Sequence, residues 1–344
     1  MRKIQDADLR GKKVLVRADF NVSIYDGKVA EKFKIEACKE TVKYVLAQEK
    51  TKIAICSHLG RPDGKINLDL SLSQVKGFLE EVLEKKVIFV DDCVGEKVFE
   101  ALEKLSEGEV LLLENTRFYE GDEKNDEDFA EKLSEPFDVF VNEAFSVCHR
   151  NQSSVTGIAK FLPSFAGFWL QKEIQSLDKI SQKPSHPAVA IIGGAKIETK
   201  LPLIKKLEES YDYILVGGKI ANEAFDQKIK FGEKVFLPLD FAEGRLDIGE
   251  KTIEKFRKII LTAETIVWNG PMGKFEEKPF DNGTRKILQA VIEKRAFSVI
   301  GGGESVQMLE ENNLLNMISF VSTGGGAMLE YLSGKKLPGI EVLR

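Results

Sequence analysis

The sequence predicts an α/β protein with two doubly wound, Rossmann-like parallel-sheet domains joined by a helix and a hinge. Short apolar runs rich in strand-forming residues alternate with longer charged stretches of helical period, as they do in repeated βαβ units. At 344 residues the chain is long enough to bury two separate cores. A stretch with helical spacing of its apolar residues lies between the two halves, where a connecting element is needed.

In the first half, the predicted strands are short apolar runs that end in polar segments. They cover residues 13–17, 53–56, 87–90, 110–113 and 139–141. Residues 120–128, with the sequence EGDEKNDED, are highly charged. We expect this stretch to form a solvated loop that runs into a helix.

The connecting segment, residues 167–183, has the apolar spacing of a helix, and two prolines follow it. Its spaced apolar residues are Phe168, Ile174, Leu177 and Ile180. The predicted strands of the second half cover residues 188–192, 213–216, 266–268, 298–300 and 319–321, with 234–238 as a weaker candidate. The second half therefore repeats the alternating organisation of the first.

Composition and charge exclude several classes of protein. Hydrophobic residues make up 43% and charged residues 31%, as in ordinary soluble globular proteins, and the net charge of -5 argues against a nucleic-acid partner. No apolar run approaches the roughly 18 residues of a membrane span, and the stretch MRKIQDADLRGKK has no apolar core of a secretory signal. The four cysteines form no C-x-x-C pair, so we expect free thiols and a cytoplasmic location.

The strand ends of the first half carry basic side chains. In parallel sheets, ligands collect beyond the carboxyl ends of the strands. Crowded guanidinium groups bind carboxylate and phosphate oxygens and repel one another without an anion. These ends therefore predict a site for a small phosphorylated acid. The segments are Arg17-Ala18-Asp19-Phe20-Asn21, His58-Leu59-Gly60-Arg61, Glu114-Asn115-Thr116-Arg117 and residues 144–150, which end in His149-Arg150.

The strand ends of the second half carry glycines instead. Five glycine-containing endings in one domain suggest backbone amides close to a phosphate-bearing ligand, and therefore a nucleotide site. Glu304 could hold Mg²⁺ against phosphate oxygens. If a helix begins near Ala195, Lys196 and Lys200 share a face of its first turns and meet the phosphates there. The glycine endings are Gly193-Gly194, Gly217-Gly218, residues 269–273, residues 301–303 and residues 322–326.

The two predicted ligands together indicate a reaction class. A small anionic acid and a Mg-nucleotide suit phosphoryl transfer, which depends on positioning and charge stabilisation. A carboxylate acceptor is already ionised at neutral pH and needs no general base. The absence of an obvious Ser-His-Asp or Cys-His arrangement in the sequence fits that chemistry.

Ordered motifs along nearly the whole chain resemble those of the phosphoglycerate kinase family. They run from RADFNV through HLGRP, ENTRF, GGAKIETK, WNGPMGKFE and GGGES to STGGGAMLEYLSGKKLPG. The resemblance implies reversible, Mg²⁺-dependent phosphoryl transfer from 1,3-bisphosphoglycerate to ADP, giving 3-phosphoglycerate and ATP, by a monomer. It implies an acid-substrate domain at 1–165, a connecting helix at 166–183, a nucleotide domain at 184–330 and a tail at 331–344 that returns to the first domain.

The resemblance also implies roles for individual residues. Lys196 would face the transferring group as a catalytic residue together with Arg150, and Glu304 would hold the metal. The acid-binding residues would be Asp19, Phe20, Asn21, Lys34, His58, Leu59, Gly60, Arg61, Arg117 and Arg150. The nucleotide-binding residues would be Lys196, Lys200, Asn269, Glu276 (at the ribose), Gly302, Gly303, Glu304 and Ser305.

Several positions depart from the usual family pattern. Lys34 replaces an arginine and lacks its planar fork, and Glu304 replaces a shorter aspartate. The chain is also shorter than the family norm around residues 227–251, where we expect a contracted helical segment. The other departures are Glu143, Ser146, Gln152 and Thr199.

Three alternatives remain at the level of sequence. A nicotinamide-dependent dehydrogenase would need a complete G-x-G-x-x-G loop, and residues 301–306 lack its last glycine. A non-catalytic protein that binds phosphorylated acids would explain the arginines but not the glycine endings or Lys196. An inactive relative of phosphoglycerate kinase would be compatible with the changes at Lys34 and Glu304.

Overall fold

The computed structural model describes residues 1–25 and 27–344, which form two compact units. The first unit comprises Met1–Glu173 with Lys336–Arg344, and the second comprises Ile174–Lys335. Each unit contains a six-stranded sheet whose strands are all parallel. The predicted α/β class with two doubly wound sheets is therefore confirmed.

The sheet of the first unit has the strand order β5-β6-β4-β1-β7-β8, and a separate two-stranded antiparallel sheet pairs β2 with β3. The strands are β1 (Lys13–Arg17), β2 (Ile24–Tyr25), β3 (Lys28–Val29), β4 (Lys52–Cys56), β5 (Val87–Phe89), β6 (Val110–Leu112), β7 (Val139–Asn142) and β8 (Ser164–Ala166). The helices are α1 (Phe33–Ala37), α2 (Lys39–Leu46), α3 (Lys76–Leu83), α4 (Glu96–Lys104), α5 (Glu120–Lys124), α6 (Glu127–Ser134) and α7 (Phe168–Ser181), which continues into the second unit.

The sheet of the second unit has the order β11-β10-β9-β12-β13-β14. The chain order reverses between β9 and β12, and ligands bind beyond such a reversal in open α/β sheets. The strands are β9 (Ala188–Ile192), β10 (Tyr213–Val216), β11 (Val235–Phe236), β12 (Thr265–Asn269), β13 (Phe297–Gly301) and β14 (Phe320–Ser322). The helices are α8 (Ile197–Glu208), α9 (Gly218–Asp226), α10 (Glu250–Ile260), α11 (Asn282–Lys294), α12 (Gly303–Glu311) and α13 (Gly325–Leu332), and α14 (Pro338–Glu341) belongs to the first unit.

The main predicted strands are confirmed, with ends that differ by at most one residue. The weaker candidate at 234–238 is the short strand β11. Strands β2, β3 and β8 were not predicted, and β2 and β3, with two residues each, are too short to show an alternating pattern. Across the described residues, none of the helices is long and apolar enough to cross a membrane.

The prediction of a solvated loop that runs into a helix at residues 120–128 is right about the helix but wrong about the loop. The segment forms α5 and the start of α6, whose first turn is capped by the Asp126 carboxylate through the Phe129 amide at 2.8 Å. Asp122 is fully buried and accepts hydrogen bonds from the Thr116 hydroxyl at 2.7 Å and the Ser154 amide at 2.9 Å. The sequence of a charged segment predicts exposure to solvent. It cannot predict the burial of Asp122, because the hydrogen-bond partners of that residue lie outside the segment.

The segment at 227–251 is short on helix. Between the end of α9 and the start of α10, the structure has only β11 and the 3₁₀ turn Glu243–Arg245. The expected contraction therefore leaves a single helical turn. That turn lines a cavity described below.

The connecting helix α7 is confirmed, with Leu170, Leu177 and Ile180 fully buried. The first unit ends within this helix at Glu173 and resumes at Lys336. In the first unit, the returning chain end is held by the Gly339 amide on the Cys148 carbonyl oxygen at 2.9 Å.

The start of α7 is held by a buried carboxylate at the end of β7. The Glu143 carboxylate accepts hydrogen bonds from the amides of Trp169 at 2.9 Å and Leu170 at 3.3 Å, and from the Thr41 hydroxyl. Burial raises the pKa of Glu143 to about 7, although these three hydrogen bonds act in the opposite direction. The helix start therefore depends on a carboxyl group that is costly to ionise.

The raised pKa of Glu143 predicts that the stability of the protein depends on pH. A comparison with the Glu143→Gln variant, which cannot titrate at this position, measures that dependence. Because the folded-state pKa is raised, the native protein loses stability as pH rises from about 4.5 to about 7, and no further loss follows above that. We expect the wild-type Tm to fall relative to that of the Gln variant across this window, with a free-energy change of at most roughly 3 kcal/mol. Calorimetry of both proteins at pH 5 and at pH 8 gives the Tm difference between them at each pH. A Tm difference that stays constant with pH would rule out titration of Glu143.

Candidate functional site

The carboxyl ends of three strands in the first unit are tied together by hydrogen bonds. The Asn21 side-chain oxygen accepts from the Gly60 amide at 2.9 Å, and Arg117 Nη1 donates to the Gly60 carbonyl oxygen at 2.8 Å. Asp19 accepts from the Asn21 amide at 2.9 Å. These bonds join the segments that follow β1, β4 and β6. The predicted acid-binding residues from these three strands are thus brought to one edge of the sheet.

A buried arginine fixes the state of His58. Arg17 is fully buried at the end of β1, and its Nη2 lies 3.2 Å from His58 Nδ1. A guanidinium can only donate, so Nδ1 must accept and the ring proton must lie on Nε2. Burial lowers the pKa of His58 well below its usual value, and nearby Arg17, Arg117, Lys34 and Arg150 act in the same direction. His58 is therefore neutral and has a single ring donor, Nε2–H.

The cations of this edge are compensated only in part. Burial lowers the pKa of Arg117 to about 10, helped by Arg17 and Arg150 and opposed by Glu123 and Asp122. Arg117 Nε lies 3.5 Å from the Glu123 carboxylate. Several positive charges thus influence one another at close range. An anionic ligand would relieve that repulsion.

Lys34, which stands where the family pattern has arginine, lies on α1 beside this cluster. Its Nζ donates to the Asn21 carbonyl oxygen at 2.8 Å and lies 3.8 Å from the Glu31 carboxylate. The Ser23 hydroxyl holds the other oxygen of Glu31 at 2.7 Å. The ammonium therefore already has partners on two sides.

Not every predicted acid-binding residue presents its side chain. The side chains of Phe20 and Leu59 are buried in the hydrophobic core, so these residues could serve a ligand only through their backbone. Arg61 is exposed and Arg150 is half-buried. Gly60 has a φ of +64°, and an added β-carbon would lie 2.6 Å from a methyl carbon of Leu70.

In the second unit, the prediction that Lys196 and Lys200 share a helix face is wrong. Helix α8 begins at Ile197, and Lys196 precedes it with φ 66° and ψ 83°, a left-handed conformation. For a residue other than glycine this conformation costs about 1–2 kcal/mol. The Lys196 side chain is exposed, whereas Lys200 is buried in the helix. The sequence could not place the helix start, because no N-cap residue type precedes it.

Lys200 and Asn269 form a buried polar pair beneath the strand ends. Lys200 Nζ donates to the Asn269 side-chain oxygen. Burial lowers the pKa of Lys200 to about 8, and nearby Glu304 opposes that change. Among the described residues, the Asn269 side-chain nitrogen and the Ser305 hydroxyl are buried without a hydrogen-bond partner. These unsatisfied donors point to an acceptor ligand such as phosphate.

Most glycine endings of the second unit serve packing. A β-carbon on Gly193 would lie 2.1 Å from the Pro271 carbonyl oxygen, and one on Gly270 would lie 2.5 Å from the Gly193 carbonyl oxygen. The chain after β9 therefore contacts the chain after β12 directly. Gly303, by contrast, faces open space, and Gly302, with a φ of +105°, lies beside the Asn269 amide group.

A cavity of about 420 Å³ opens at these strand ends, a size suited to a small ligand. It contains the predicted Glu276 and Glu304. No sequence motif predicted Lys219, Asn222 or Arg245 in its wall. The lining residues are Gly194, Ala195, Lys219, Asn222, Gly244, Arg245, Leu246, Pro271, Gly273, Lys274, Glu276 and Glu304.

Arg245 is a fixed part of the cavity wall. Its Nη1 donates to Asp226 at 2.8 Å, and its guanidinium carbon lies 5.3 Å from the centre of the Phe241 ring. Its carbonyl oxygen accepts from the Asn222 side chain at 2.8 Å. Only the three-dimensional contacts reveal this residue, because the segment carries no recognisable pattern.

Glu304 is the carboxylate that could hold a magnesium ion in this cavity. Burial and nearby Glu276 raise the pKa of Glu304, whereas nearby Lys200 lowers it. In the part of the chain that the structure describes, no group of three or more His, Cys, Asp or Glu could hold a metal alone. Magnesium commonly takes one or two carboxylates and completes its shell with phosphate and water, so one carboxylate fits.

Comparisons with known proteins agree along the whole chain. A family model described as Phosphoglycerate kinase matches residues 4–243 and 240–335. A phosphoglycerate kinase of Borrelia hermsii is 38% identical over 389 aligned residues, covering 100% of this chain and 99% of that protein. The crystal structure of phosphoglycerate kinase from Pyrococcus horikoshii OT3 matches with a TM-score of 0.89 at 30% identity, covering 100% of this chain and 98% of that chain. The structure of phosphoglycerate kinase from Coxiella burnetii has a TM-score of 0.81 and 32% identity, covering 99% and 98%.

The pKa of Lys200 predicts proton uptake when phosphates bind. A phosphate near its ammonium should raise the pKa above about 8, so ATP binding should take up protons between pH 8 and 9 and weaken as pH rises. Calorimetric titrations in two buffers with different ionisation enthalpies measure that uptake. Lys200→Arg is the matched control, because arginine stays charged and should take up none. Equal proton uptake by both proteins would contradict a phosphate contact at Lys200.

Proposed function

Because the chain belongs to the phosphoglycerate kinase family, we propose that its first unit binds the acid substrate and its second unit binds the nucleotide. The protein transfers a phosphoryl group reversibly between 1,3-bisphosphoglycerate and ADP, giving 3-phosphoglycerate and ATP. The partly compensated positive charge around His58 and Arg117 is the observation that carries the assignment of the acid site. A three-carbon acid with a phosphate group supplies the missing negative charge.

In the acid site, each group has a distinct part. His58 donates its Nε2–H to a substrate oxygen, and Arg117 and Arg150 bind the negative oxygens. Lys34 keeps its bond to the Asn21 carbonyl oxygen and adds a third cation. Asp19, Asn21 and Arg61 complete the set of polar side chains. Phe20, Leu59 and Gly60 contribute backbone groups only.

In the nucleotide site, the phosphates meet Lys200, the Asn269 amide nitrogen and the Ser305 hydroxyl, whose unsatisfied donors support this assignment. The backbone of Gly302 and Gly303 allows the phosphates to approach closely. The ribose lies by Glu276. Glu304 would hold Mg²⁺, which would supply positive charge to neutralise the phosphate oxygens. The base lies in the part of the cavity walled by Leu246 and Arg245.

In the direction of ATP consumption, the carboxylate of 3-phosphoglycerate attacks the γ-phosphorus. A new bond forms between the carboxylate oxygen and phosphorus, while the bond from phosphorus to the β–γ bridging oxygen breaks and ADP leaves. No proton moves, because the acceptor is ionised and the leaving phosphate takes the electron pair. Lys196 and Arg150 stabilise the oxygens of the transferring group. The neutral His58 is a binding donor in this scheme and not a base.

We also propose that the protein is a monomer and that it is located in the cytoplasm. Four cysteines are free and buried, which suits a reducing compartment. They are Cys38, Cys56, Cys93 and Cys148.

The two lysines should differ in kinetics. Loss of one donor aimed at the transition state costs about 10²–10³ in kcat. Lys196→Ala should therefore lower kcat by about that factor and leave the Kd for MgATP nearly unchanged, whereas Lys200→Ala should mainly raise the KM for ATP.

The measurement is ADP release from MgATP with and without 3-phosphoglycerate, beside a calorimetric ATP titration. ADP release should depend strictly on the acid. Acid-independent release would contradict the proposed function. A Lys196→Ala protein that binds ATP far more weakly yet turns over normally at saturation would contradict the proposed role of Lys196.

A further inference from the structure

A carboxylate on α9 contacts the backbone that carries Lys196. Glu223 Oε2 accepts a hydrogen bond from the Ile197 amide at 2.7 Å. Ile197 is the first residue of α8 and directly follows Lys196. The Glu223 side chain is half-buried, and its helix also supplies Lys219 and Asn222 to the cavity wall. Neither the sequence motifs nor the proposed mechanism uses Glu223.

The backbone of Lys196 is held on its carboxyl side by a second residue. Its carbonyl oxygen accepts from the Thr199 amide at 3.2 Å and from the Thr199 hydroxyl at 2.8 Å. The left-handed conformation of Lys196 is unfavourable for a lysine. Such a conformation persists only where the surrounding contacts impose it, and it is found preferentially at functional sites.

Helix α9 also holds the chain on the amino side of Lys196. The Ile220 amide donates to the Gly194 carbonyl oxygen at 3.0 Å, and the Gly194 amide donates to the Pro271 carbonyl oxygen at 2.9 Å. Residues of α9 thus fix the chain at Gly194 and at Ile197, on either side of the exposed Lys196. Of these two contacts, only the one from Glu223 comes from a side chain and can be removed by substitution.

We infer that Glu223 is a positioning residue, which keeps Lys196 in its left-handed conformation and so directs its ammonium toward the transferring phosphoryl group. This inference rests on the proposed role of Lys196. A carboxylate suits the task, because its hydrogen bond to the amide is charge-assisted and the amino end of α8 favours negative charge. Without that bond, the segment can relax toward an ordinary backbone conformation, and the ammonium loses its aim.

The inference separates kcat from nucleotide binding. A small misplacement of a catalytic group can lower the rate by up to about 100-fold. Glu223→Ala should lower kcat by about tenfold to 100-fold and change the Kd for MgATP by less than about threefold. Glu223→Gln should restore most of kcat, because its side-chain oxygen can still accept from Ile197.

The matched control is Glu208→Ala. Glu208 Oε1 accepts from the Gly232 amide at 2.8 Å, so this variant removes a carboxylate-to-amide bond from the same unit away from Lys196. Its kcat should match that of the wild type. If Glu223→Ala does not fold, Glu223→Met replaces it, because methionine keeps the length of the side chain but cannot make this bond. A wild-type kcat in whichever of the two variants folds would overturn the inference.

A double-mutant cycle tests whether Glu223 acts through Lys196. In a Lys196→Ala background, adding Glu223→Ala should cause no further loss of kcat. The same loss in both backgrounds, or a Gln variant as slow as the Ala variant, would overturn the positioning role alone. A Lys196→Ala enzyme with normal kcat would instead refute the proposed role of Lys196, so the two failures can be told apart.

Discussion

Positive charge held at the carboxyl edge of the first sheet is the constraint on which the acid site depends. Arg17 is fully buried and Arg117 nearly so, and burial together with the nearby charge of Arg17 lowers the pKa of Arg117. The protein tolerates this arrangement through hydrogen bonds to backbone carbonyls and hydroxyls, such as that from Arg17 Nε to the Ser154 hydroxyl at 3.1 Å. Those bonds satisfy several of the donors, although Arg117 Nε has no hydrogen-bond partner among the described residues, and they do not neutralise the charge. A compact polyanion does both, so the charge that costs stability in the free protein becomes binding energy in the complex.

The same cations set the protonation of the site without a dedicated acid or base. Burial and the nearby charge of Arg17 keep the imidazole of His58 neutral by lowering its pKa, and the hydrogen bond from Arg17 places the ring proton on Nε2. A neutral donor suits a reaction in which no proton is transferred. The second unit offers a phosphate-bearing ligand unsatisfied hydrogen-bond donors. There Lys200 is buried against Asn269, and the Asn269 amide nitrogen and the Ser305 hydroxyl are unsatisfied donors from which phosphate oxygens can accept.

The sequence predicts the sheets and the charged strand ends well, because both follow from local pattern. Apolar runs locate the strands, and the carboxyl ends of parallel strands must share an edge. The sequence fails where a residue's role depends on partners far along the chain. Asp122 looks solvated beside other charges, yet it is fully buried and accepts hydrogen bonds from Thr116 and Ser154. Lys196 looks helical, yet it lies just before the helix, where the Thr199 hydroxyl donates to its carbonyl oxygen and Glu223 accepts from the amide of the next residue. Arg245 carries no motif, and only its contacts reveal a cavity wall.

The glycine endings show a second limit of sequence reasoning. Their number suggested backbone amides turned toward a ligand, but Gly193 and Gly270 mainly allow two strand ends to touch. Both interpretations require glycine, and only the neighbouring atoms distinguish them. Gly302 and Gly303, which adjoin open space and Asn269, keep the ligand-facing interpretation. The number of glycines therefore predicts a region of close contacts, but it does not predict whether the contact is with a ligand or with another part of the chain.

The most direct test of this account is hydrogen exchange of the protein with each ligand added alone. With 3-phosphoglycerate, amide exchange should slow in the first unit around residues 19–21, 58–61, 115–118 and 149–152. With MgATP, it should slow in the second unit around residues 193–200, 269–276 and 302–305. Protection of the same unit by both ligands would contradict the assignment of one ligand to each unit.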